Sequence, residues 1–176
     1  MVNVIGLGYI GLPTALMLAA HGVEVVGTDL KEALVNKLNA GELTFEEKGL
    51  DNLFKQACAC RIRFSTHYQR SEIYIVSVPT PYDKYTKKAD VSFVVAAVET
   101  LQKVAPKDAI VVIESTIPPG TIDGEIRPLL HDTSIHLAHA PERIIPGNMI
   151  YELVHNNRTI GVDSPEQGEK IKQLYA

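Results

Sequence analysis

The chain holds 176 residues, 45 % of them hydrophobic, with 17 Lys and Arg against 21 Asp and Glu for a formal net charge of -4. That length and apolar content can supply the core of one large domain, or of one domain and the beginning of another. The acidic balance, with no basic tract beyond "KYTKK" at 84–88, argues against nucleic acid or an anionic membrane as a partner, and no apolar run reaches the roughly 18 residues of a membrane span, so a cytoplasmic protein is expected.

Short apolar runs alternate with stretches of helical period, the pattern of a parallel sheet with crossover helices. A strand at 2–6 ("VNVIG"), with no charged leader before it, leads into a helix at 11–21 that carries Pro13 early and stops at His21-Gly22. A strand at 24–29, helices at 31–39 and 46–57, and strands at 61–65 and 73–78 follow. The longest irregular segment, "PTPYDKYTKKAD" at 79–90, reads either as a loop over a ligand site or as a surface excursion. A helix at 92–104, a strand at 109–115, a helix at 120–131 and strands at 135–140 and 158–162 lead to a last helix at 165–175. That helix has no stop signal before Ala176, so a continuing chain is expected. Most strands are nearly unbroken in Val and Ile, as when both faces of a sheet are covered. The expected fold is α/β, a Rossmann-like, doubly wound and mostly parallel sheet with helices on both faces.

Cys58 and Cys60 form a lone C-x-C with no second pair to complete a zinc site, and residues two apart make a poor disulfide. They read as a helix end and a turn. His136 and His139, three apart on one strand, would point to opposite faces and so make a poor metal pair; no metal is expected.

The chemistry concentrates at strand ends. Gly6, Gly8 and Gly11 form G-x-G-x-x-G between a strand and a helix, and Asp29 ends the second strand about 20 residues further on, the context of a dinucleotide site. Gly6 permits the turn, Gly8 the approach of a pyrophosphate and Gly11 the packing of helix on strand, with Tyr9 and Ile10 between them at the helix N-terminus. A carboxylate at Asp29 would accept from a ribose 2′-OH and repel a 2′-phosphate, favouring NAD over NADP. Lys31 tempers that preference by lining the adenosine side, and an N-cap role for Asp29 competes with it. "SVPTP" (77–81) and "ESTIPPG" (114–120) end the next strands, where Thr80 and Thr116 offer hydroxyls to a nicotinamide or a reacting oxygen, or simply cap turns. In "HAPERIIPGN" (139–148), Glu142 suits a base or an orienter of water and Arg143 a phosphate or carboxylate partner; a solvated surface pair is the alternative.

Together these motifs, "GLGYIGLPTA" with Asp29, "VPTP", "ESTIPPG" and "PERIIPGN", resemble in order and spacing the UDP-glucose/GDP-mannose dehydrogenase family, from residue 2 to the end of the chain. Within that group "PERIIPG" looks like the branch acting on 2-acetamido sugars, the UDP-N-acetylmannosamine dehydrogenases, with UDP-N-acetylglucosamine dehydrogenases close by. In UDP-glucose dehydrogenases the loop usually reads like "PEFLREG", and Pro146 stands here where that loop has its second glutamate. The resemblance implies oxidation of a UDP-sugar C6 alcohol to the carboxylate with two NAD, a step in making cell-surface polysaccharide precursors. It implies cofactor contacts from Gly6, Gly8, Tyr9, Ile10, Gly11, Asp29, Lys31, Val78, Pro79, Thr80, Ser115 and Thr116. Thr116 would position the catalytic water, Glu142 would act at the substrate C6, and Arg143 and Ile145 would shape the sugar pocket. Members carry a nucleophilic cysteine, a central helix and a UDP-sugar-binding domain beyond the matched part. Residues 1–176 are therefore expected to be an N-terminal NAD-binding domain, inactive alone, of a homodimeric enzyme. A hydroxyacid or 6-phosphogluconate-type dehydrogenase would share the glycines but has no use for "PERIIPG", and a nucleotide-sensing module without chemistry is the rival of a different class.

Overall fold

The computed structural model describes residues 1–130 and 133–176. Its centre is a seven-stranded sheet of β1 (Val2–Ile5), β2 (Val25–Thr28), β3 (Ile62–Ser65), β4 (Ile73–Val76), β7 (Ile110–Ile113), β8 (His136–His139) and β9 (Gly161–Val162), in the order β3-β2-β1-β4-β7-β8-β9. Pairing is parallel up to β8, and β9 closes the edge antiparallel to it. All four residues of β1, β2 and β7 are buried, which accounts for their lack of alternation: apolar side chains are wanted on both faces.

Each face has its own core. Val2, Val4, Val25, Ile75 and Val112 pack with α1 (Gly11–Ala20), α3 (Leu50–Ala59) and α6 (Pro165–Tyr175) through residues such as Leu16, Phe54 and Ile171. Ile5, Tyr74, Val76, Val111 and Ile113 point the other way, onto Val94, Val98 and Leu101 of α4 (Ser92–Leu101) and onto Ile126. Asn3 sits fully buried among them, its amide donating to the Val26 carbonyl (2.9 Å) and the Thr28 hydroxyl (2.8 Å) while its oxygen accepts from Gln69 N–H (3.0 Å). A buried amide so satisfied fixes register instead of costing stability.

The glycine at the end of α1 acts as expected. Gly22, at φ +87°, lets Val23 N–H reach the Leu18 carbonyl (3.1 Å) and Gly22 N–H the Ala19 carbonyl (3.0 Å), closing the helix. α6 opens on Ser164, whose hydroxyl accepts from Gln167 N–H (3.4 Å), with Pro165 in its first turn.

Three stretches differ from the sequence reading. Segment 79–90 contains a short antiparallel hairpin, β5 (Tyr82–Asp83) with β6 (Lys88–Ala89), its turn held by the Asp83 carboxylate, which accepts from Tyr85 N–H (2.8 Å) and the Thr86 hydroxyl (2.9 Å). The helix expected at 120–131 is a π-helix over Ile122–Ile126 followed by a 3-10 turn over Arg127–Leu130. Pro128 has no N–H to give and its ring would crowd the Gly124 carbonyl, so regular α-helical bonding cannot pass it; His131 lies outside the described residues. A further helix, α5 (Met149–His155), stands in a stretch for which the sequence reading drew no element. The helix α2 (Glu32–Asn39) and the remaining elements agree within a few residues at their ends.

Candidate functional site

The chain runs outward from β1 through β2 to β3, then crosses back to lay β4 on the other side of β1. At that reversal the two loops leaving the carboxyl ends of β1 and β4 diverge and open a crevice, the place where doubly wound sheets bind ligands. Here it is a cleft of ≈ 760 Å³. Its wall takes in Gly6, Gly8, Tyr9, Ile10, Asp29 and Lys31 on one side. Val78, Pro79, Thr80, Ser115, Thr116 and Glu142 form the other.

The nucleotide loop is built by close approach. Gly6 has φ +90°, and a Cβ there would lie 2.4 Å from the Ser77 carbonyl oxygen; one on Gly11 would lie 1.9 Å from the Gly6 carbonyl oxygen. Neither position admits a side chain, so β1, α1 and β4 meet backbone to backbone, with Gly11 beneath the cleft floor. Gly8 is different: a Cβ there meets nothing within 4 Å. The space above it is cleft, and Ile10 at the N-cap of α1 supplies no side-chain cap; Leu12 N–H is taken by the Gly8 carbonyl (3.1 Å) and Pro13 has none, so the N–H groups left for a ligand at this end are those of Tyr9 to Gly11.

Asp29 is tied into the same loop. Its Oδ2 accepts from Leu7 N–H and its Oδ1 from Lys31 N–H, both at 2.9 Å, which orients the carboxylate at the cleft rim and keeps a lone pair of each oxygen for other donors. Tyr68 lines this end too; burial, with the Asp29 charge second, pushes its hydroxyl pKa up to about 12, so it remains a neutral donor. These features fit an adenosine ribose at Asp29 and a pyrophosphate over Gly8.

On the far wall Ser115 staples two strand ends, its hydroxyl accepting from Val78 N–H (2.9 Å) and donating to the Val78 carbonyl (2.8 Å). The Thr80 hydroxyl donates to the Thr116 carbonyl (2.8 Å), so the "VPTP" and "EST" loops form one surface. Beyond them lies a buried ion cluster that sequence reasoning missed. Arg158 donates from Nη1 to Glu114 Oε1 (2.5 Å) and from Nη2 to Glu142 Oε2, and its guanidinium lies 4.0 Å over the Tyr175 ring. Burial pushes the Glu114 carboxyl above the usual range; the Arg158 charge and hydrogen bond, then the Ser77 and Thr14 hydroxyls, pull it back. An ionisable residue ending the apolar run "IVVIE" was a signal for Glu114, whereas nothing local marked Arg158.

Most of the residues singled out from the sequence converge on this cleft; besides Gly11 beneath its floor, two do not line it. Arg143 is exposed and donates to the Asn157 carbonyl (3.1 Å), and Ile145 is 64 % exposed, while their neighbour Ile144 is the one buried in the cleft wall. Leu30, Leu34 and Phe93 complete an apolar lining that composition alone did not reveal. Cys58 and Cys60 are exposed, free, and not among the cleft residues.

Comparison with known proteins agrees with this geometry. The family model "UDP-glucose/GDP-mannose dehydrogenase family, NAD binding domain" matches residues 1–176. A UDP-N-acetyl-D-mannosamine dehydrogenase of Methanococcus vannielii is 42 % identical over 176 residues, covering 98 % of this chain and 41 % of that protein. Among solved structures, the UDP-N-acetyl-mannosamine dehydrogenase of Staphylococcus aureus superposes with a TM-score of 0.93 at 35 % identity, covering 99 % of this chain and 45 % of that one. A UDP-D-ManNAc dehydrogenase of Pyrococcus horikoshii gives 0.90 at 35 % identity, covering 99 % and 44 %. The chain thus spans about two-fifths of the length of the curated relatives it matches.

Proposed function

The chain is an NAD-binding domain that belongs to the UDP-glucose/GDP-mannose dehydrogenase family, and from that premise we propose that it serves the oxidation of UDP-N-acetylmannosamine at C6, first to the aldehyde and then to the carboxylate. The observation that carries the reading is the crevice at the β1/β4 reversal, open above Gly8 and flanked by Asp29 on one side and by Thr116 and Glu142 on the other. NAD, when bound, accepts hydride. The residues of this chain bind and orient: Asp29 takes the ribose hydroxyls, Gly6 to Gly11 the pyrophosphate, and Val78, Pro79, Thr80 and Ser115 the remaining wall. β2, β1, β4 and β7 are successive neighbours at about 4.8 Å per step, so Glu114, at the end of β7, stands roughly 14 Å from Asp29, with Glu142 following the next strand, β8, on the side where the sugar would react. There Thr116 and Glu142 hold and orient water for the second oxidation. Pro146 in place of a second carboxylate favours an acetamido sugar over UDP-glucose, and the relatives' names point the same way.

Because the chain spans about two-fifths of those relatives, we take residues 1–176 as the cofactor domain of a longer, homodimeric enzyme, with the nucleophilic cysteine outside this part. The product class is a nucleotide-linked uronic acid for cell-surface polysaccharide, made in the cytoplasm; no helix among the described residues is long and apolar enough to cross a membrane. The test is two-fold. Calorimetric titration of the chain with NAD and NADP should show NAD binding more tightly, and equal affinities would remove Asp29 from its role. The enzyme containing this domain, offered UDP-N-acetylmannosamine, UDP-N-acetylglucosamine and UDP-glucose, should form two NADH per acetamido sugar; activity on UDP-glucose alone would overturn the substrate assignment.

A further inference from the structure

Glu142 is not a solvated turn residue. Its side chain is 7 % exposed, that of Glu114 is 0 % and that of Arg158 is 12 %. One guanidinium therefore serves two buried carboxylates from different parts of the chain, Glu114 at the end of β7 and Glu142 after β8. The backbone adds a link, Glu142 N–H donating to the Glu114 carbonyl (3.4 Å). Thr14 of α1 approaches both Glu114 oxygens at 3.4 Å, and Tyr175 of α6 supplies the face on which Arg158 rests. Five separate segments thus meet in one cluster.

Such a cluster is costly to assemble. Two carboxylates and one cation leave a formal negative charge out of water, and buried ion pairs seldom repay their desolvation in stability. The planar fork of arginine is what allows two acceptors to be met at once; an ammonium is a single point charge. Burial drives the Glu114 carboxyl toward its protonated form against the pull of the Arg158 charge, while Glu142 is the second acceptor of the same guanidinium. The other groups at this end do not substitute for it. Arg143 turns its guanidinium to Asn157, burial pushes the Tyr175 hydroxyl up so that it stays neutral, and burial holds the His139 ring, beside the Ser115 backbone, below its ordinary pKa and so uncharged.

We propose that Arg158 is a positioning residue for Glu142, holding that carboxylate ionised and in a fixed orientation at the cleft wall, with Glu114 and the Tyr175 ring aiming the guanidinium. The inference rests on the dehydrogenase reading for its purpose, since an oriented, ionised Glu142 is what the handling of water at C6 requires. It does not rest on that reading for its physics.

The experiment is a pH titration of the glutamate side-chain carboxyl carbons by NMR in the 176-residue chain, for the parent, Arg158→Met, Arg158→Lys and Glu114→Gln, with an NAD titration of each. In Arg158→Met the Glu142 carboxyl should take its proton at least about one pH unit higher than in the parent, since burial is then unopposed. In Arg158→Lys the rise should be smaller but measurable, and in Glu114→Gln Glu142 should stay near the parent. Unchanged titration of Glu142 in both Arg158 variants overturns the proposal, as does a rise in Glu114→Gln equal to that in Arg158→Met. Should Arg158→Met lose its dispersed amide spectrum, Arg158→Lys decides alone, by the same criterion of a rise or none. NAD affinity should change by no more than about twofold in the Arg158 variants, because Asp29 is a distant and independent site. Failure of the parent to bind NAD would sink the dehydrogenase reading while leaving the Glu142 result to stand or fall by itself.

Discussion

The Glu47 carboxylate accepts hydrogen bonds from the backbone N–H groups of Gly147 (2.7 Å) and Met149 (3.1 Å), so a residue between α2 and α3 caps the start of α5. The same stretch carries Phe45, whose ring lies 4.4 Å from that of Tyr9 in the nucleotide loop. Segment 43–49 is therefore a strap joining the loop that would hold the pyrophosphate to the loop that carries Glu142. Removing the Glu47 acceptor leaves two N–H groups at a helix start without a partner. Glu47→Ala should lower stability by about 1–2 kcal/mol in urea unfolding and speed amide exchange at 144–149, while exchange in β1 and β4 is unchanged. Equal exchange at 144–149 in parent and variant would show that the strap does not hold the loop.

The three glycines of the nucleotide loop should separate by experiment. Gly6→Ala and Gly11→Ala each place a Cβ against backbone, at 2.4 Å and 1.9 Å from a carbonyl oxygen, and Gly6 also has φ +90°. Each should destabilise the fold by about 2 kcal/mol or more. Gly8→Ala meets nothing within 4 Å, so its melting temperature should match the parent while NAD affinity falls, because the methyl enters the space the ligand needs. Loss of stability in Gly8→Ala, or unchanged NAD affinity, would count against the cleft as drawn.

Asp29 has two duties that substitution can divide. It accepts from Leu7 and Lys31 N–H within the protein, and it offers charge to a ribose. Asp29→Ala should weaken NAD by about 1–3 kcal/mol, the range for unpaired buried polar partners. Asp29→Asn keeps one acceptor for the loop but removes the repulsion of a 2′-phosphate, so NADP should gain on NAD. If Asp29→Asn leaves the NAD to NADP preference unchanged, the carboxylate is structural only.

Much of this site was legible because doubly wound folds gather their chemistry at strand ends, and strand ends are local features. The run from β1 through Gly6, Gly8 and Gly11 to Asp29 needed only period and spacing. What escaped was non-local. Arg158 and Glu114 are 44 residues apart and Glu47 and Gly147 are 100 apart; no window along the chain holds either pair. That Ile144, and not Ile145, turns into the cleft was hidden for a different reason: the loop between Pro141 and Gly147 is irregular, so no fixed alternation says which side chain turns inward. The π-helix at 122–126 was hidden because its sequence has ordinary helical character, and the proline that disturbs it lies just beyond.

The last prediction concerns pH. Glu114 is a carboxyl whose folded-state pKa is raised, chiefly by burial, so above the ordinary carboxylate range the folded chain binds more protons than the unfolded one. The sign follows: wherever the native state holds the extra proton, stability falls as pH rises, and the loss runs from the ordinary carboxylate pKa up to the raised one. Other paired acids act the opposite way, Asp163 for instance being held low by the Arg127 hydrogen bond, but their contributions are complete by the ordinary carboxylate pKa, below that window. In Glu114→Gln the Arg158 to Glu142 pair remains and the proton-linked term is gone. Urea unfolding followed upward from the ordinary carboxylate range should then show a flatter stability curve for the variant than for the parent. A parent whose stability rises across that interval as steeply as the variant's would mean that Glu114 ionises freely in the fold, and that Arg158 is divided evenly between two charged partners.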